Sequence, residues 1–287
     1  MKENTAYTLQ SNWPKIGHGI GLRSDHWTVI QETRPAIDWL EVVSENHMDT
    51  EGRALTILED LRRDYPICCH GVSMNIGSTD PVNKDYLKEL KKLIHRIEPP
   101  IVSDHLCWTG VDGANSHDLL PLPQTKEVID HVVNKVHQVQ DFLQRRILLE
   151  NASTYVAFEH STLPEWEFIS EIAKRSGCGI LLDLNNVYVN SFNHKFDPKQ
   201  YIQFLDPECV GQYHLAGHIE KEDFLFDTHS REVKEEVWDL YRLACRRFDH
   251  VPTLIEWDAD IPPLEKLLDE SQKAKEIEHE QAQLVLA

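Results

Sequence analysis

Short apolar runs alternate with stretches of helical periodicity along most of the 287-residue chain. Near-continuous apolar strands that alternate with helices are typical of a parallel sheet covered on both faces. The predicted strands are Gly19–Arg23, Trp39–Ser44, Ile67–Ser73, Ile101–Trp108, Ile147–Ser153, Gly179–Val189, Val210–His214 and Thr253–Asp258. Helical periodicity occurs between them, at Glu51–Asp64, Tyr86–Ile97, Lys126–Gln144, Leu163–Ser176, Pro198–Leu205 and Arg231–Phe248. Eight such units in a chain of this length predict an α/β fold, namely a (β/α)8 TIM barrel.

The competing architecture is a doubly wound open sheet. It is disfavoured because no Gly-rich phosphate-binding turn follows any strand, and Gly17–Gly21 lacks the dinucleotide-binding spacing. No linker divides the chain, so we expect one domain over 1–287, with the barrel at about 17–262 and a C-terminal helix and tail over 263–287. Residues Glu270–Glu280 are rich in Glu, Lys and Gln, which predicts a solvated helix that frays, with an interaction arm as the alternative.

Charge and apolar content exclude several classes of function. Lys and Arg total 29 against 48 Asp and Glu, a net charge of −19. Proteins that bind nucleic acid through its phosphates carry the opposite sign, so no nucleic-acid partner is expected, although a local basic pocket stays open. The apolar runs are far shorter than a membrane span and the N-terminus has no apolar signal segment, so we expect a cytoplasmic protein without a membrane partner. Six Cys without a C-x-x-C motif are typical of buried thiols.

Metal-ligating side chains follow the predicted strands at the points where the strands end. The active site of a TIM barrel lies at the C-terminal ends of its strands, so these side chains should meet there. Glu150, Asp183 and Glu256 each follow an apolar run. Carboxylates that converge in a buried place repel one another unless cations lie between them. Histidines at the same strand ends and in the following loop complete the predicted ligand set: His70, His105, His214, His218 and His229.

The type of metal follows from the ligand atoms. Taken singly, a His or Asp at a strand end is usually a turn cap or a satisfied core group, so the prediction depends on the whole set. No thiolate stands in a ligand-like motif, which disfavours iron–sulfur clusters and structural zinc. Two or three ions of iron, manganese or zinc are therefore expected.

Strand alternation orients part of this set. Asp183 and Asn185 lie two residues apart and are predicted to share a face. Glu150 follows two leucines, Leu148 and Leu149, so alternation alone does not orient its side chain.

The segment after strand seven poses a distance problem. His214 and His218 share parity, but four extended residues span about 13 Å. They can serve one site only if the chain bends at Ala216-Gly217, or if the site holds more than one ion. Asp227 and His229 lie two residues apart in the following loop.

Candidate substrate contacts near the strand ends are Asn46, Asp104, Asn151 and Trp257, although packing within the barrel wall is the more common role of such a Trp.

The ordered series of motifs resembles a known family. The motifs are Glu41–Asn46, His70–Ser73, Ser103–Leu106, Leu149–Asn151, Asp183–Tyr188, His214–His218, Asp227–His229 and Glu256–Asp258. Together they resemble the multinuclear non-heme iron-dependent oxidases, whose best-known member is the oxidase of methanobactin biosynthesis. The similarity extends from about Gly17 to Pro262. It implies a xylose-isomerase-like barrel that holds two or three irons.

The resemblance also implies how the ligands divide between ions. One iron would be held by Asp183, His214 and Glu256. A second would be held by His70, His105 and Glu150, with Glu150 close to both. The third position, often less occupied in the family, would be formed by Asn185, His218, Asp227 and His229.

The activity implied by the resemblance is oxidative modification of ribosomally made peptides, usually at Cys. Mixed Fe(II)/Fe(III) is expected, in which a ferric ion binds the substrate thiolate and a ferrous ion activates O₂ as co-substrate. The implied partners are a Cys-containing precursor peptide and a separate protein that recognises its leader. Three alternatives stay open: a multi-zinc hydrolase or phosphodiesterase, a divalent-metal sugar isomerase or epimerase, and a non-catalytic metal-binding protein.

Overall fold

The computed structural model describes residues 12–286 and contains a closed barrel of eight parallel strands. The strands follow one another around the barrel in chain order, and β1 pairs with both β2 and β8 to close it. Their bounds are β1 (His18–Gly21), β2 (Trp39–Val43), β3 (Ile67–Gly71), β4 (Val102–His105), β5 (Leu148–Glu150), β6 (Gly179–Asp183), β7 (Val210–Leu215) and β8 (Thr253–Ile255). The TIM-barrel prediction is confirmed, and all eight predicted strands are present.

Helices surround the barrel. Their bounds are α1 (Trp27–Thr33), α2 (Arg53–Leu61), α3 (Lys84–Ile97), α4 (Lys126–Leu143), α5 (Glu165–Ser176), α6 (Leu184–His194), α7 (Pro198–Phe204), α8 (Glu235–Arg247) and α9 (Leu264–Leu286). Local chemistry sets several ends: the Asn83 side chain accepts hydrogen bonds from the first turn of α3, and Gly177 ends α5 with a φ of 70°. Within residues 12–286 no helix is long and apolar enough to cross a membrane.

Two β-hairpins stand at the carboxyl ends of the strands. The first pairs Trp108–Val111 with Ala114–Leu120, and the second pairs His218–Glu220 with Leu225–Asp227. Neither hairpin was predicted, nor was α1. The predicted strand Ile101–Trp108 continues too far, because β4 ends at His105 and Trp108 already belongs to the first hairpin.

The prediction for Gly179–Val189 is wrong beyond Asp183, because the chain turns into helix α6 at that residue. The Asp183 carboxylate accepts a hydrogen bond of 2.6 Å from the backbone N–H of Asn186, and so caps the helix. Asn185 therefore lies in the first turn of α6. It does not share a strand face with Asp183, as alternation had predicted.

The barrel interior is built in two layers. Six side chains form an apolar lower layer, namely Trp39, Cys68, Ile101, Leu148, Leu181 and Leu254. Because side chains two residues apart in a strand point the same way, the next inward positions form an upper layer. That layer is polar and consists of Glu41, His70, Ser103, Glu150, Asp183 and Glu256. Leu149 instead packs in the main core between barrel and helices. The position of Leu148 thus orients Glu150 into the barrel.

The C-terminal helix α9 packs against the molecule. Leu267 and Ala274 on this helix are fully buried, and Ile277 is 5% exposed. The helix lies against α8 and β1. The prediction of a solvated, fraying helix over Glu270–Glu280 is therefore wrong, because one face of this charged segment contributes apolar side chains to the core.

Candidate metal centre

Three strand ends bring together the first cluster, which consists of His70, His105 and Glu150. His70 Nε2 lies 3.1 Å from Glu150 Oε2, and His105 Nε2 lies 3.4 Å from the same oxygen. The three residues lie at or next to the ends of neighbouring strands β3, β4 and β5, so the register of the sheet sets their spacing. Two imidazole nitrogens and one carboxylate oxygen converge here, a ligand set suited to a divalent transition metal.

The second cluster consists of Glu150, Asp183, His214 and Glu256, all buried. His214 Nδ1 lies 2.8 Å from Glu256 Oε2 and 3.8 Å from Glu150 Oε2. Glu150 thus belongs to both clusters, at the centre of the upper layer. A carboxylate shared in this way can bridge two neighbouring ions.

The third cluster lies above the second and consists of His229, Glu256 and Asp258. His229 Nδ1 lies 3.0 Å from Glu256 and 3.3 Å from Asp258, while its Nε2 lies 2.9 Å from Asp227. Asp258 was not among the predicted ligands. It joins the site because its backbone N–H donates to the His229 carbonyl, which ties β8 to the loop after β7.

The four residues predicted for a third ion are also brought together. His218 Nδ1 lies 2.8 Å from Asn185 Oδ1, and the Asn185 amide donates a 2.8 Å hydrogen bond to Asp227. Asp227 in turn contacts His229. The chain leaves β7 at Leu215 and His218 begins a hairpin strand, so His214 and His218 serve different parts of the site and the distance problem disappears.

Several ligand atoms of these clusters have no hydrogen-bond partner although they are buried. They are Glu150 Oε2, Asp183 Oδ2, His214 Nδ1 and His229 Nε2. The two imidazole nitrogens lie near carboxylate oxygens, but the contacts lack hydrogen-bond alignment. Unpaired buried polar atoms are costly. The ligand atoms of Glu150, Asp183 and His214 lie within 4.8 Å of one another, and His229 Nε2 lies 3.5 Å from Asp183 Oδ2. This is the arrangement expected of ligands whose lone pairs converge on a cation, so the residues fit a metal.

The charges of the site are strongly coupled. Burial alone would raise the pKa of Glu150, but the imidazoles of His105, His214 and His70 hold it at about 2. Burial raises the pKa of Asp183 well above its ordinary value. Burial opposes protonation of His214, but Glu256, Glu41 and Glu150 raise its pKa well above the ordinary value. Divalent cations would neutralise these crowded carboxylates directly.

In each histidine of the first two clusters, the ring nitrogen that faces away from the cluster contacts a different partner. His70 Nδ1 lies 2.8 Å from Ser103 Oγ, and His105 Nδ1 lies 3.1 Å from the Gly71 carbonyl. His214 Nε2 lies 2.9 Å from Glu41 Oε1. Such contacts fix the ring orientation and determine which nitrogen faces the metal. Glu41 was not predicted as a site residue, although it is a carboxylate in a buried strand, the criterion that found Glu150.

The cavity above the clusters, hereafter the metal cavity, has a volume of about 430 Å³. Its wall includes His70, His105 and Glu256, and its mouth includes Asp118, Tyr155 and Phe226. None of the four predicted substrate contacts is part of its lining. Asp104 and Asn151 are buried hydrogen-bonding groups, Trp257 lies in the core, and Asn46 is exposed on a 3₁₀ turn.

A positive charge and the thiols complete the chemistry near the site. Arg23, missed from the sequence, contacts Asp258 and lies 3.8 Å from Glu256. The six thiols are free, and five are buried. Burial raises the pKa of Cys69 to about 12 and that of Cys107 well above its ordinary value. Nucleophilic catalysis by these thiols is therefore disfavoured.

Fold and site together define a TIM-barrel protein with buried, overlapping clusters of His, Asp and Glu that could hold metal ions. The chain matches the model of the family "RiPP precursor modification enzyme MbnB/TglH/ChrH" over residues 17–279. The protein belongs to this family, whose members modify the precursors of ribosomally made peptides. Both the predicted family and the peptide class of substrate agree with this match.

Similar sequences support the family, and similar solved structures support the fold. A UPF0276 protein of Anaeromyxobacter sp. (strain Fw109-5) is 52% identical over 263 residues, which are 92% of this chain and 93% of the relative. Endonuclease IV from Thermus thermophilus has a TM-score of 0.60 at 14% identity, covering 92% of this chain and 99% of the other. A xylose isomerase domain protein from Alicyclobacillus acidocaldarius has a TM-score of 0.54 at 14% identity, covering 94% and 98%. At such identities the two structures show the fold alone, a xylose-isomerase-like barrel.

Proposed function

We propose that the protein is a multinuclear non-heme iron-dependent enzyme that uses O₂ to modify Cys residues of a precursor peptide. The observation that carries the proposal is the central position of Glu150, which contacts ligands of two clusters while His70, His105 and Glu256 of these clusters line one cavity. Two adjacent ions that share a carboxylate would suit a reaction in which one ion binds the substrate and the other activates O₂. The family supplies the substrate class.

Two ions would be held by the first two clusters, with His70, His105 and Glu150 around one and Asp183, His214 and Glu256 around the other. A third would lie beside His229 and Asp227, with Asn185 and His218 behind Asp227. The structure offers Asp258 as a further ligand near His229. Two to three irons per chain, in mixed Fe(II)/Fe(III) states, are proposed.

The ligand atoms alone fit iron, manganese or zinc, so the preference for iron rests on the family resemblance and on the substrate that a hydrolytic zinc centre would need. The clusters combine imidazole and carboxylate with no thiolate, and two of them adjoin through one carboxylate. A hydrolytic zinc centre on DNA, the main alternative, needs a surface that attracts phosphates. The net charge of −19 opposes that substrate.

The protein's own residues prepare the site for the reaction. Bound iron would supply a Lewis acid for the substrate thiolate and an electron source for O₂. Ser103, the Gly71 carbonyl and Glu41 hold the three imidazoles in place. Arg23 balances the charge of Glu256 and Asp258 at the edge of the cavity. The peptide side chain would enter the cavity beside Asp118, Tyr155 and Phe226.

A separate leader-recognition protein is part of the proposal. The family acts on precursor peptides, and the acidic surface of this chain would suit a basic leader or partner. Recognition of the leader by another protein would leave this chain to bind the region around the reacting Cys.

The test uses protein loaded with iron without oxygen, together with a Cys-containing peptide encoded beside the gene. On exposure to air, O₂ consumption and a mass change of the peptide are expected, and a Cys→Ser peptide should give neither. Glu150→Gln should abolish both signals, whereas Glu171→Gln on the surface of α5 should retain them. An unchanged peptide with iron-loaded protein, leader partner and O₂ present would contradict the proposal.

A further inference from the structure

Three aromatic rings form a cluster on the surface at the mouth of the metal cavity. The Tyr155 ring centroid lies 5.5 Å from that of Phe226 and 6.1 Å from that of Phe224. Each of these side chains keeps 40% or more of its surface exposed. Neighbouring Val156 is 61% exposed. Contiguous exposed apolar groups of this kind mark binding surfaces on proteins.

This surface connects the metal cavity with a second cavity of about 250 Å³. Ser153 and Tyr155 line the metal cavity, whereas Thr154, Val156 and Phe158 line the second one. One loop segment is therefore the wall between the two cavities. The far side of the second cavity is also apolar and contains Leu122, Trp166 and Phe196.

Hydrogen bonds hold this wall in position. The Tyr155 hydroxyl accepts a 3.0 Å hydrogen bond from the backbone N–H of Asp227, which is one of the residues beside the metal site. The backbone N–H of Thr154 donates a 2.7 Å hydrogen bond to Asn190 on helix α6. A surface fixed in this way loses little conformational entropy when it binds.

We propose that the second cavity, hereafter the side-chain pocket, binds an apolar side chain of the precursor peptide near the reacting residue. This inference rests on the proposed function, since it places the reacting residue in the metal cavity. The volume of about 250 Å³ holds roughly eight waters at about 30 Å³ each, room for one large side chain and too little for most cofactors.

The separation of the two cavities sets the spacing in the peptide. Tyr155 and Phe158 are three residues apart, a separation of at most about 10 Å. An extended peptide that follows the outside of the loop covers this distance in about three residues. The pocket therefore selects an aromatic or aliphatic residue two to four positions from the Cys.

Acidic residues border the aromatic surface. Asp118 lines the mouth, Glu222 and Asp223 precede Phe224 at the hairpin tip, and Glu159 follows Phe158. Since like charges repel across an interface, the favoured peptide carries neutral or basic residues beside its apolar side chain. A second copy of this acidic chain would bring the same negative charges against the surface, so the peptide is the better match.

The probe is a library of displayed peptides with one fixed Cys and five randomised residues on either side. It is selected for binding to the anaerobic, purified protein, so that no turnover is needed. Enrichment of apolar residues two to four positions from the Cys, on one side of it, is expected. Enrichment without a fixed spacing would overturn the proposal.

Three variants then separate the pocket from the rest of the surface. Binding of the selected peptides to Phe158→Ser and Val156→Asp should weaken about tenfold. Phe204→Ser is the matched control, since Phe204 is 46% exposed on α7 and lines neither cavity, and it should change binding less than twofold. Equal binding to the pocket variants and the wild type would refute the pocket. So would a wild-type dimer that the pocket variants convert to monomer, because the surface would then join two copies.

The outcome is independent of the test of the proposed function. Binding with the expected spacing but without O₂ consumption would support the side-chain pocket and contradict the proposed oxidase chemistry. Turnover of a peptide at the same rate by the wild type and the pocket variants would support the oxidase chemistry and contradict the side-chain pocket.

Discussion

Glu41 is expected to control how tightly the second cluster holds its ion. One of its carboxylate oxygens lies 2.9 Å from His214 Nε2, and the other accepts a 2.6 Å hydrogen bond from Gln212. Both the Glu41 and His214 side chains are almost completely buried. The opposite nitrogen of His214, Nδ1, faces Glu256 and Glu150. Glu41→Gln keeps the shape of the side chain but removes the charge behind the imidazole.

The size of the effect follows from the loss of the carboxylate charge beside His214 Nε2, taken as the difference between a charged and a neutral polar contact. A hydrogen bond to a charged group contributes about 1.5–3 kcal/mol, and a neutral one about 0.5–1.5 kcal/mol. The difference of roughly 1–1.5 kcal/mol corresponds to about tenfold weaker metal binding. This lies at the lower end of the 10–100-fold range typical for residues that support a metal-bound His.

The assay is anaerobic Fe(II) titration against a competing chelator, with metal content measured at each step. Glu41→Gln should lose one ion at about tenfold lower chelator concentration than the wild type. Glu45→Gln is the matched control: Glu45 is a partly buried glutamate near the end of the same strand that binds the Val72 N–H and the Tyr86 hydroxyl, not a histidine. Equal iron affinity in Glu41→Gln and Glu45→Gln would show that the Glu41 charge does not support the ion held by His214.

Three further predictions concern the frame around the site. Gly71→Ala should lower stability by about 1–3 kcal/mol in denaturant unfolding, because the added Cβ would lie 2.3 Å from Asp104 Oδ2; an unchanged midpoint contradicts this. Burial raises the pKa of Glu165 to about 7, so its native state keeps a proton that the unfolded chain releases from about pH 4.5 upward. Wild-type stability should therefore fall as pH rises from 5 to 8, and Glu165→Gln should reduce that fall by about 1–3 kcal/mol; parallel pH profiles would oppose it. Ile277→Ala should lower stability by about 2–4 kcal/mol, while Leu284→Ala, 64% exposed, should leave the thermal midpoint unchanged. Equal midpoints for the two variants would show that α9 does not pack as described.

The sequence predicted the barrel and most of the clustered residues because both depend on local pattern. Each strand is a short apolar run, and its polar end is visible in the sequence as a carboxylate or His. The contacts of His70, His105 and Glu150 follow from this pattern together with closure of the barrel. The roles of these residues as metal ligands remain predictions.

The remaining features depend on information that strand patterns lack. No Gly or Pro interrupts the chain at Asp183-Leu184, so only the capping role of the Asp183 carboxylate marks the change from strand to helix. Asp258 reaches the third cluster through a backbone hydrogen bond with the distant residue His229. Glu41 could have been found by the criterion of a carboxylate in a buried strand, since Leu40 and Val42 flank it. The aromatic surface at the mouth forms between two loops, and no periodicity predicts it.

The overlapping clusters are proposed to hold two to three irons per chain. Anomalous diffraction at the iron absorption edge, on crystals of anaerobically purified protein, tests this proposal most directly. One iron peak is expected within ligand distance of His70, His105 and Glu150, and another beside Asp183, His214 and Glu256. A third, weaker peak is predicted beside His229. Peaks at the zinc edge alone would contradict the iron assignment, and the absence of any metal peak among these residues would contradict the metal centre itself.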